Sequence, residues 1–218
     1  MKIIKSDIDC SVNFIEEINQ GESIECRYVR RKPEYFAAYL SSQTACAQGC
    51  KFCWLTATGQ TKYKDLSLEA IYDQASILID YYKTQPQAQM IHYNFMSRGE
   101  PLSNKAIIAS GGEMVYNLGK LAKQNSLISK TNISTIMPKT LKEPLEKVFT
   151  ESYPTIYYSL YSLNKKFRNK WLPGAMEPAK ALEMLKSYQQ ASKKIIKLHW
   201  AFIKGENDKE DDIYEIFR

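Results

Sequence analysis

The stretch CAQGCKFC, residues 46–53, holds three of the five cysteines of this 218-residue chain. The amino terminus lacks a secretory signal pattern, and no run reaches 18 apolar residues. We therefore expect a cytoplasmic chain without a membrane segment. In that reducing compartment, clustered cysteines usually bind metal or react, and they rarely form disulfides.

Composition predicts an ordinary globular protein, with 44% hydrophobic and 12% aromatic residues. The formal net charge is +6, and basic residues cluster in RYVRRK (27–32) and NKKFRNK (164–170). Such runs are compatible with contacts to nucleic-acid phosphates, but they are equally typical of a solvated surface. Charge alone therefore permits an RNA partner without requiring one.

Hydrophobic periodicity predicts alternating strands and helices after residue 22. Predicted strands cover 23–29, 35–42, 90–97, 131–136, 155–162 and 195–203. Predicted helices cover a short 11–19 followed by a turn at Gly21, then 67–83 with Ser67 as N-cap, 105–123 with a break at Gly111–Gly112, 139–149, 177–192 and 208–218.

This alternation favours an α/β fold with a parallel sheet and crossover helices. About five β/α units are present, whereas a closed (β/α)₈ barrel typically needs about 250 residues. We expect a partial (β/α) barrel over 35–218, incomplete at its carboxyl end. Residues 1–34 would form a short extension of one helix and one strand.

The spacing Cys46-x₃-Cys50-x₂-Cys53 decides between two kinds of metal site. A structural zinc ion usually takes four ligands in two pairs, and neither Cys10 nor Cys26 has a close second cysteine. The two histidines, His92 and His199, lie at the ends of apolar strand-like runs and are more typical of core residues than of ligands.

A [4Fe–4S] cluster fits three thiolates on a short loop better, because its irons are spread over a larger volume than one ion. Three cysteines leave one iron without a protein ligand, and an open position lets a metal bind a reactant. Gly49 would let the loop backbone bend close to the inorganic core. A zinc-binding module without catalysis is the weaker alternative.

This cysteine spacing, with Phe52 before the last cysteine, resembles the radical S-adenosylmethionine (SAM) superfamily. SSQTACAQGCKFC (41–53) and FMSRGEPLSN (95–104) resemble more closely the RNA adenine C2 and C8 methylases of that superfamily, the dual-specificity ribosomal and transfer RNA methylases and the antibiotic-resistance methylases. Further blocks follow the order of that family: SIECRYVRR (23–31), NISTIMP (132–138), YYSLYSLNKKFRNKWLPG (157–174) and FIKGEND (202–208).

The resemblance implies a radical SAM enzyme that reductively cleaves SAM to a 5′-deoxyadenosyl radical. Cys46, Cys50 and Cys53 match its cluster ligands, and Glu25 matches a glutamate that accepts a proton. The matches to its SAM contacts are Gly99, Glu100, Ser134, Ser159, Leu160 and Tyr161, the last in place of a histidine. Implied partners are an RNA substrate and an electron donor such as flavodoxin or ferredoxin.

The chain departs from the methylase pattern at two cysteines. The methylases carry one cysteine seven residues before the first cluster ligand, and here that position is Tyr39. They carry another near the carboxyl terminus, but no cysteine follows Cys53. Methyl transfer by this chain alone is therefore not expected. The alternatives are a fragment of a longer methylase, or a compact radical SAM enzyme that acts on a protein, a peptide or a small metabolite.

Overall fold

Eight strands form one sheet, and their order across the sheet is their order along the chain. The structure is a computed structural model that describes residues 1–19 and 22–217. The strands are β1 (Lys2–Lys5), β2 (Val12–Asn19), β3 (Glu22–Lys32), β4 (Tyr35–Tyr39), β5 (Met90–Phe95), β6 (Ile128–Thr135), β7 (Thr155–Ser159) and β8 (Lys197–His199). The strands β1 to β4 pair antiparallel, and β4 to β8 pair parallel.

Seven helices accompany the strands in the described part of the chain. They are α1 (Trp54–Ala57), α2 (Leu68–Tyr82), α3 (Lys105–Gln124), α4 (Leu145–Val148), α5 (Lys165–Trp171), α6 (Pro178–Ser192) and α7 (Glu210–Tyr214). Helices connect each pair of neighbouring parallel strands, as parallel pairing requires. The five parallel strands confirm the expected partial barrel, and in the described residues β1 and β8 remain as open edges.

Alternation along the parallel strands gives the sheet an outer and an inner face. The outer face is apolar and packs against the helices in one continuous core. Its strand residues are fully or almost fully buried: Phe36, Ala38, Ile91, Tyr93, Phe95, Ile133, Ile156 and Tyr158. The inner face is polar and lines open cavities, with Tyr39, Asn94, Asn132 and Tyr157 among its residues. The outer face therefore holds the helices, and the inner face is left for chemistry.

The helix predicted over 11–19 is wrong, since residues 12–19 form strand β2. Val12 and Phe14 point to the core, and pairing with β1 and β3 satisfies the backbone. The sequence misled because Val12, Ile15 and Ile18 are spaced three apart. The turn predicted at Gly21 lies outside the described residues.

Smaller differences concern the ends of elements. The predicted strand 195–203 shortens to the three residues of β8, which pairs with β7 alone. The break in α3 falls at Ser110, one residue before the predicted Gly111–Gly112. Ser67 is the N-cap of α2, as predicted, and its hydroxyl accepts a hydrogen bond from the Ala70 amide.

The division into an extension (1–34) and a core (35–218) stays a prediction, although β1–β3 pair in the same sheet as the parallel strands. Within the described residues, every helix is too short or too polar to cross a bilayer. A cytoplasmic location also stays a prediction.

Candidate functional site

The three clustered cysteines lie on the loop that follows β4, and their thiols form no disulfide. The Cys46 amide donates to the Gln60 carbonyl at 3.2 Å, and the Cys53 amide donates to the Cys50 carbonyl at 3.0 Å. Cys53 is then the N-cap of α1. Backbone hydrogen bonds therefore fix both ends of the cysteine loop, here defined as residues 46–53.

The segment after α5 supports the cysteine loop from one side. The Gly174 amide donates to the Gln48 carbonyl at 3.1 Å, and the Lys51 amide donates to the Trp171 carbonyl at 3.1 Å. A Cβ at Gly174 would lie 2.3 Å from Gln48 Oε1 and 2.7 Å from the Gln48 carbonyl oxygen. The contact between these segments therefore requires glycine at this position.

The cysteine loop and the carboxyl ends of the parallel strands enclose one cleft of about 210 Å³. Most of the residues predicted as cluster or SAM contacts line it: Cys46, Cys50, Cys53, Gly99, Glu100, Ser134, Ser159 and Tyr161. The carboxyl ends of parallel strands are where ligands bind in open α/β sheets. Residues that are far apart in the sequence thus meet at one place in the fold.

Glu100 is buried at the base of this cleft, with 5% of its surface exposed. Its Oε1 accepts from the Thr135 hydroxyl at 2.7 Å and from the Leu102 amide at 3.0 Å, and its Oε2 accepts from the Ile136 amide at 3.1 Å. Burial raises the pKa of Glu100 to about 7, although these hydrogen bonds favour the carboxylate. Its partner Gly99 has a positive φ of 95°.

Ser134 contributes a hydroxyl that is buried and has no hydrogen-bond partner within the described residues. Ser159 and Tyr161 line the same cleft, and the Tyr161 ring lies 5.0 Å from the Phe52 ring between centroids. Leu160 differs, because its side chain is buried in the core behind the sheet. Its predicted contact with SAM stays a prediction.

Burial also raises the pKa values of two of the cysteine thiols. It raises the pKa of Cys46 to about 11 and that of Cys50 to about 12. In the described part of the chain, no three Cys, His, Asp or Glu side chains converge on a point that one metal ion could occupy. A cluster with several irons does not need its thiolates to converge in that way.

Glu25 lies outside this cleft, in a neighbouring cavity of about 330 Å³ on the inner face. Its carboxylate accepts from Asn13 Nδ2 at 3.1 Å and lies 4.0 Å from an Arg98 nitrogen. Met96 and Ser97 line both this cavity and the cysteine cleft, so the two are adjacent.

A third cavity, of about 210 Å³, continues along the inner face toward the other end of the strands. Tyr39, Asn94, Met96, Asn132 and Tyr157 are among its lining residues. Asn132 Nδ2 donates to Asn94 Oδ1 at 2.6 Å, and Asn132 Oδ1 is buried without a partner in the described residues. Met96 lines all three cavities, so they lie next to one another.

His199, at this cleft, and Arg98, beside it, were not predicted from the sequence as parts of the site. His199 was expected in the core, but it is exposed at the cleft, with its ring 5.8 Å from that of Tyr161. Arg98 is buried between the cysteine loop and Glu25. The position of Arg98 immediately before Gly99–Glu100 is the sequence feature that could have indicated its place beside the site.

The chain is also similar to known proteins. The family model described as "Radical SAM superfamily" matches residues 40–217. A dual-specificity RNA methyltransferase RlmN from Solidesulfovibrio magneticus is 23% identical over 100% of this chain and 60% of its own length. A ribosomal RNA large subunit methyltransferase N from Nitrosopumilus maritimus is 24% identical over 100% of this chain and 62% of its own length.

A solved structure shares the fold. The crystal structure of a radical SAM methyltransferase from Sphaerobacter thermophilus superposes with a TM-score of 0.76 and 18% identity, over 99% of this chain and 61% of that one. The chain belongs to the radical SAM superfamily. It spans between 54% and 62% of the length of the curated RNA methyltransferases that it matches.

Membership of the superfamily implies a [4Fe–4S] cluster and SAM as cofactors, and the residues present fit both. Three free thiols lie on one loop that is fixed at both ends. The buried Ser134 hydroxyl has no partner among the described residues, so it is available to a ligand in the cleft. A buried polar group without a partner costs free energy unless a ligand satisfies it.

Proposed function

We propose that this chain is a radical SAM enzyme whose cluster is bound by Cys46, Cys50 and Cys53. The observation that carries the proposal is the convergence of these three thiols with Gly99–Glu100 and Ser134 on one cleft. When bound, the reduced cluster and SAM supply a 5′-deoxyadenosyl radical by reductive cleavage of SAM. Everything else at the site is binding and positioning by the chain itself.

Glu100 can still receive the ammonium group of SAM. Each carboxylate oxygen has about two acceptor positions. Internal donors reach Oε1 twice and Oε2 once, which leaves one position on Oε2. A charge-assisted bond there would be strong in a buried site. Ser134 and Ser159 are proposed to hold the remaining polar groups of SAM.

The proposed substrate class is RNA, with an adenine base as the group that enters the inner cavity. The curated relatives are RNA methyltransferases by name. Asn94 and Asn132 are joined by one amide hydrogen bond, which leaves the Asn94 amide nitrogen as a donor and Asn132 Oδ1 as an acceptor for the edge of a base. Asparagine amides pair with adenine in this donor–acceptor pattern. Arg27 and Arg31 line the adjoining cavity and carry the opposite charge to phosphate.

The proposed reaction of this chain ends at SAM cleavage and hydrogen abstraction. Tyr39 lines the inner cavity at the position of the methylases' upstream cysteine, and a phenol cannot form the thiol cross-link. This observation also supports the second candidate, a radical SAM enzyme that acts on a protein, a peptide or a small metabolite. Glu25 is proposed as a proton acceptor in the first case, since it faces the cavity next to the cleft.

Anaerobic reconstitution with iron and sulfide tests the enzyme class. The wild-type chain should bind about four irons, and with SAM and dithionite it should release 5′-deoxyadenosine. Cys50→Ala should abolish both. The matched control is Cys10→Ala, because Cys10 is exposed on the amino-terminal hairpin, outside the cysteine loop. A wild-type chain that binds the cluster but releases no 5′-deoxyadenosine would refute the proposal.

Deuterium transfer separates the substrate classes. Uniformly deuterated RNA is offered in one reaction, and a deuterated metabolite extract in another. Deuterium in 5′-deoxyadenosine from the RNA alone supports the RNA substrate. Deuterium from the extract alone supports the second candidate.

The electron donor is proposed to be an acidic redox protein such as flavodoxin or ferredoxin. A groove of about 720 Å³ abuts the cysteine loop at Ala47 and Gln48, and Lys105, Lys139 and Lys142 line it. Lys139→Glu with Lys142→Glu should slow flavodoxin-driven SAM cleavage at least tenfold and leave dithionite-driven cleavage unchanged. Lys186→Glu, on the exposed part of α6, serves as the control. A double variant that cleaves SAM at the wild-type rate with both reductants would exclude this surface.

A further inference from the structure

Arg98 is a buried cation that the proposed cofactor contacts do not use. It directly precedes Gly99, and only 8% of its surface is exposed. Its side chain extends between Glu25 and the two segments that flank the cysteine loop. Burying a guanidinium is costly unless hydrogen bonds and an opposite charge compensate. The contacts of Arg98 therefore need an explanation beyond local packing.

The main chain and side chain of Arg98 both bind the segment that leads into the cysteine loop. The Arg98 carbonyl accepts from the Ser42 amide at 2.8 Å, and its Nε donates to the Thr44 carbonyl at 2.9 Å. These residues lie two and four positions before Cys46. The entry to the cysteine loop is thus attached to the end of β5.

The same guanidinium also binds the segment that follows the loop. Its second terminal nitrogen donates to the Gln60 side-chain carbonyl. The backbone carbonyl of Gln60 in turn accepts from the Cys46 amide at 3.2 Å. One buried side chain therefore links the segments before and after the cysteines.

A carboxylate partly balances the charge of Arg98 on the side that faces away from the cysteine loop. Glu25 is the carboxylate within 4.0 Å of it among the described residues, at the limit of an ion pair. The Glu25 side chain is 26% exposed and the Arg98 side chain 9% exposed. The guanidinium charge is thus screened by solvent much less than that of a surface arginine.

We propose that Arg98 is a positioning residue that clamps the cysteine loop and whose buried charge raises the reduction potential of the cluster. The clamp follows from the hydrogen bonds to Thr44 and Gln60. The electrostatic part rests on the proposed function, and it follows because a nearby cation favours the state with one more electron. Glu25 moderates this effect by pairing with the same guanidinium.

Two variants separate the clamp from the charge. Arg98→Lys keeps a cation but cannot reach both Thr44 and Gln60, and Arg98→Met loses both functions. The control is Arg30→Met. Arg30 also donates to backbone carbonyls, those of Pro33, Pro86 and Gln87. It lies near the end of β3, whereas Glu25, the partner of Arg98, lies near the start of that strand.

Hydrogen exchange of the metal-free chain tests the clamp. Amides of residues 44–60 should exchange at least tenfold faster in both Arg98 variants and at the wild-type rate in Arg30→Met. Unchanged exchange in Arg98→Met would overturn the clamp. This measurement does not depend on cluster formation, so it stands even if the proposed function fails.

A redox titration of the reconstituted chain, followed by electron paramagnetic resonance, tests the charge. Arg98→Met should lower the equilibrium constant for one-electron reduction about tenfold, which corresponds to about 59 mV. Arg98→Lys should stay near the wild-type potential. Equal potentials in Arg98→Met and Arg98→Lys would overturn the electrostatic part, and the absence of a cluster in the wild type would instead refute the proposed function.

Discussion

Ile133 and Ser134 are consecutive residues of β6, yet their side chains lie on opposite faces of the sheet. Ile133 is completely buried against the helices, whereas Ser134 lines the cleft with a hydroxyl that has no partner within the described residues. On β5, Tyr93 is likewise buried on the outer face, and Asn94 lines a cavity on the inner face. The difference shows that the outer face is packed against the helices, while the inner face is left open to ligands.

The largest expected difference compares these two neighbours directly. Ile133→Ala should lower the free energy of unfolding by about 2–5 kcal/mol, because it leaves a cavity in the core. Ser134→Ala should change it by less than about 1 kcal/mol, since no hydrogen bond is lost. Urea denaturation measures both.

In the reconstituted chain, the two substitutions should affect SAM binding in the reverse order of their effects on stability. Ser134→Ala should weaken it, and Ile133→Ala should leave it close to wild type wherever the chain is folded. Equal destabilisation by the two variants would contradict the division between the faces.

A second prediction concerns the pH dependence that Glu100 imposes. Burial raises its folded pKa to about 7 from the ordinary value of 4.5, so between these pH values the native state retains a proton that the unfolded chain has lost. The contribution of Glu100 to the free energy of unfolding of the metal-free chain should therefore fall as pH rises from 4.5 to about 7, by about 3 kcal/mol, and then level off.

Glu100→Gln should flatten this slope, because the amide does not ionise. Glu113→Gln, an exposed change on α3, should retain the slope of the wild type. Urea titrations at successive pH values provide the measurement. A Glu100→Gln chain with the same slope as the wild type would show that another group causes it.

The smallest expected difference compares two glycines with positive φ. A Cβ at Gly99 would lie 2.6 Å from Gln43 Cβ and 2.8 Å from the Gln43 amide nitrogen, whereas one at Gly59 would meet no atom within 4 Å. Gly59→Ala should cost about 1–2 kcal/mol for its left-handed backbone. Gly99→Ala should cost about 1–3 kcal/mol more, because the Gln43 segment must move.

Thermal unfolding of the metal-free chain checks the order of the two variants. Gly99→Ala should also lower the yield of 5′-deoxyadenosine after reconstitution, and Gly59→Ala should not. If both glycine variants were equally stable, the close approach at Gly99 would have no energetic consequence.

Particular residues show how far the sequence could predict this molecule. The parallel strands and the helices between them were predicted from periodicity, because their core positions repeat every two or every 3.6 residues. The cysteine loop and Gly99–Glu100 were recognised from short, contiguous motifs. The predicted helix at 11–19 failed because β2 is stabilised by pairing with β1 and β3, and pairing partners are not visible in a local pattern.

Local patterns were insufficient at the candidate site for the same reason. His199 and Arg98 were not assigned to it, since their neighbours in space are distant in the sequence. Leu160 was assigned to it from a motif, but its side chain packs in the core.

By itself, the sequence determined the alternating strands and helices and the set of thiols, because both depend on residues that are close along the chain. Only the tertiary structure decided that β2 is a strand, that Arg98 joins the two segments flanking the cysteines, and that three cavities lie side by side along the inner face. These features depend on contacts between residues that are far apart in the sequence. Such contacts form only when the sheet brings the strand ends together.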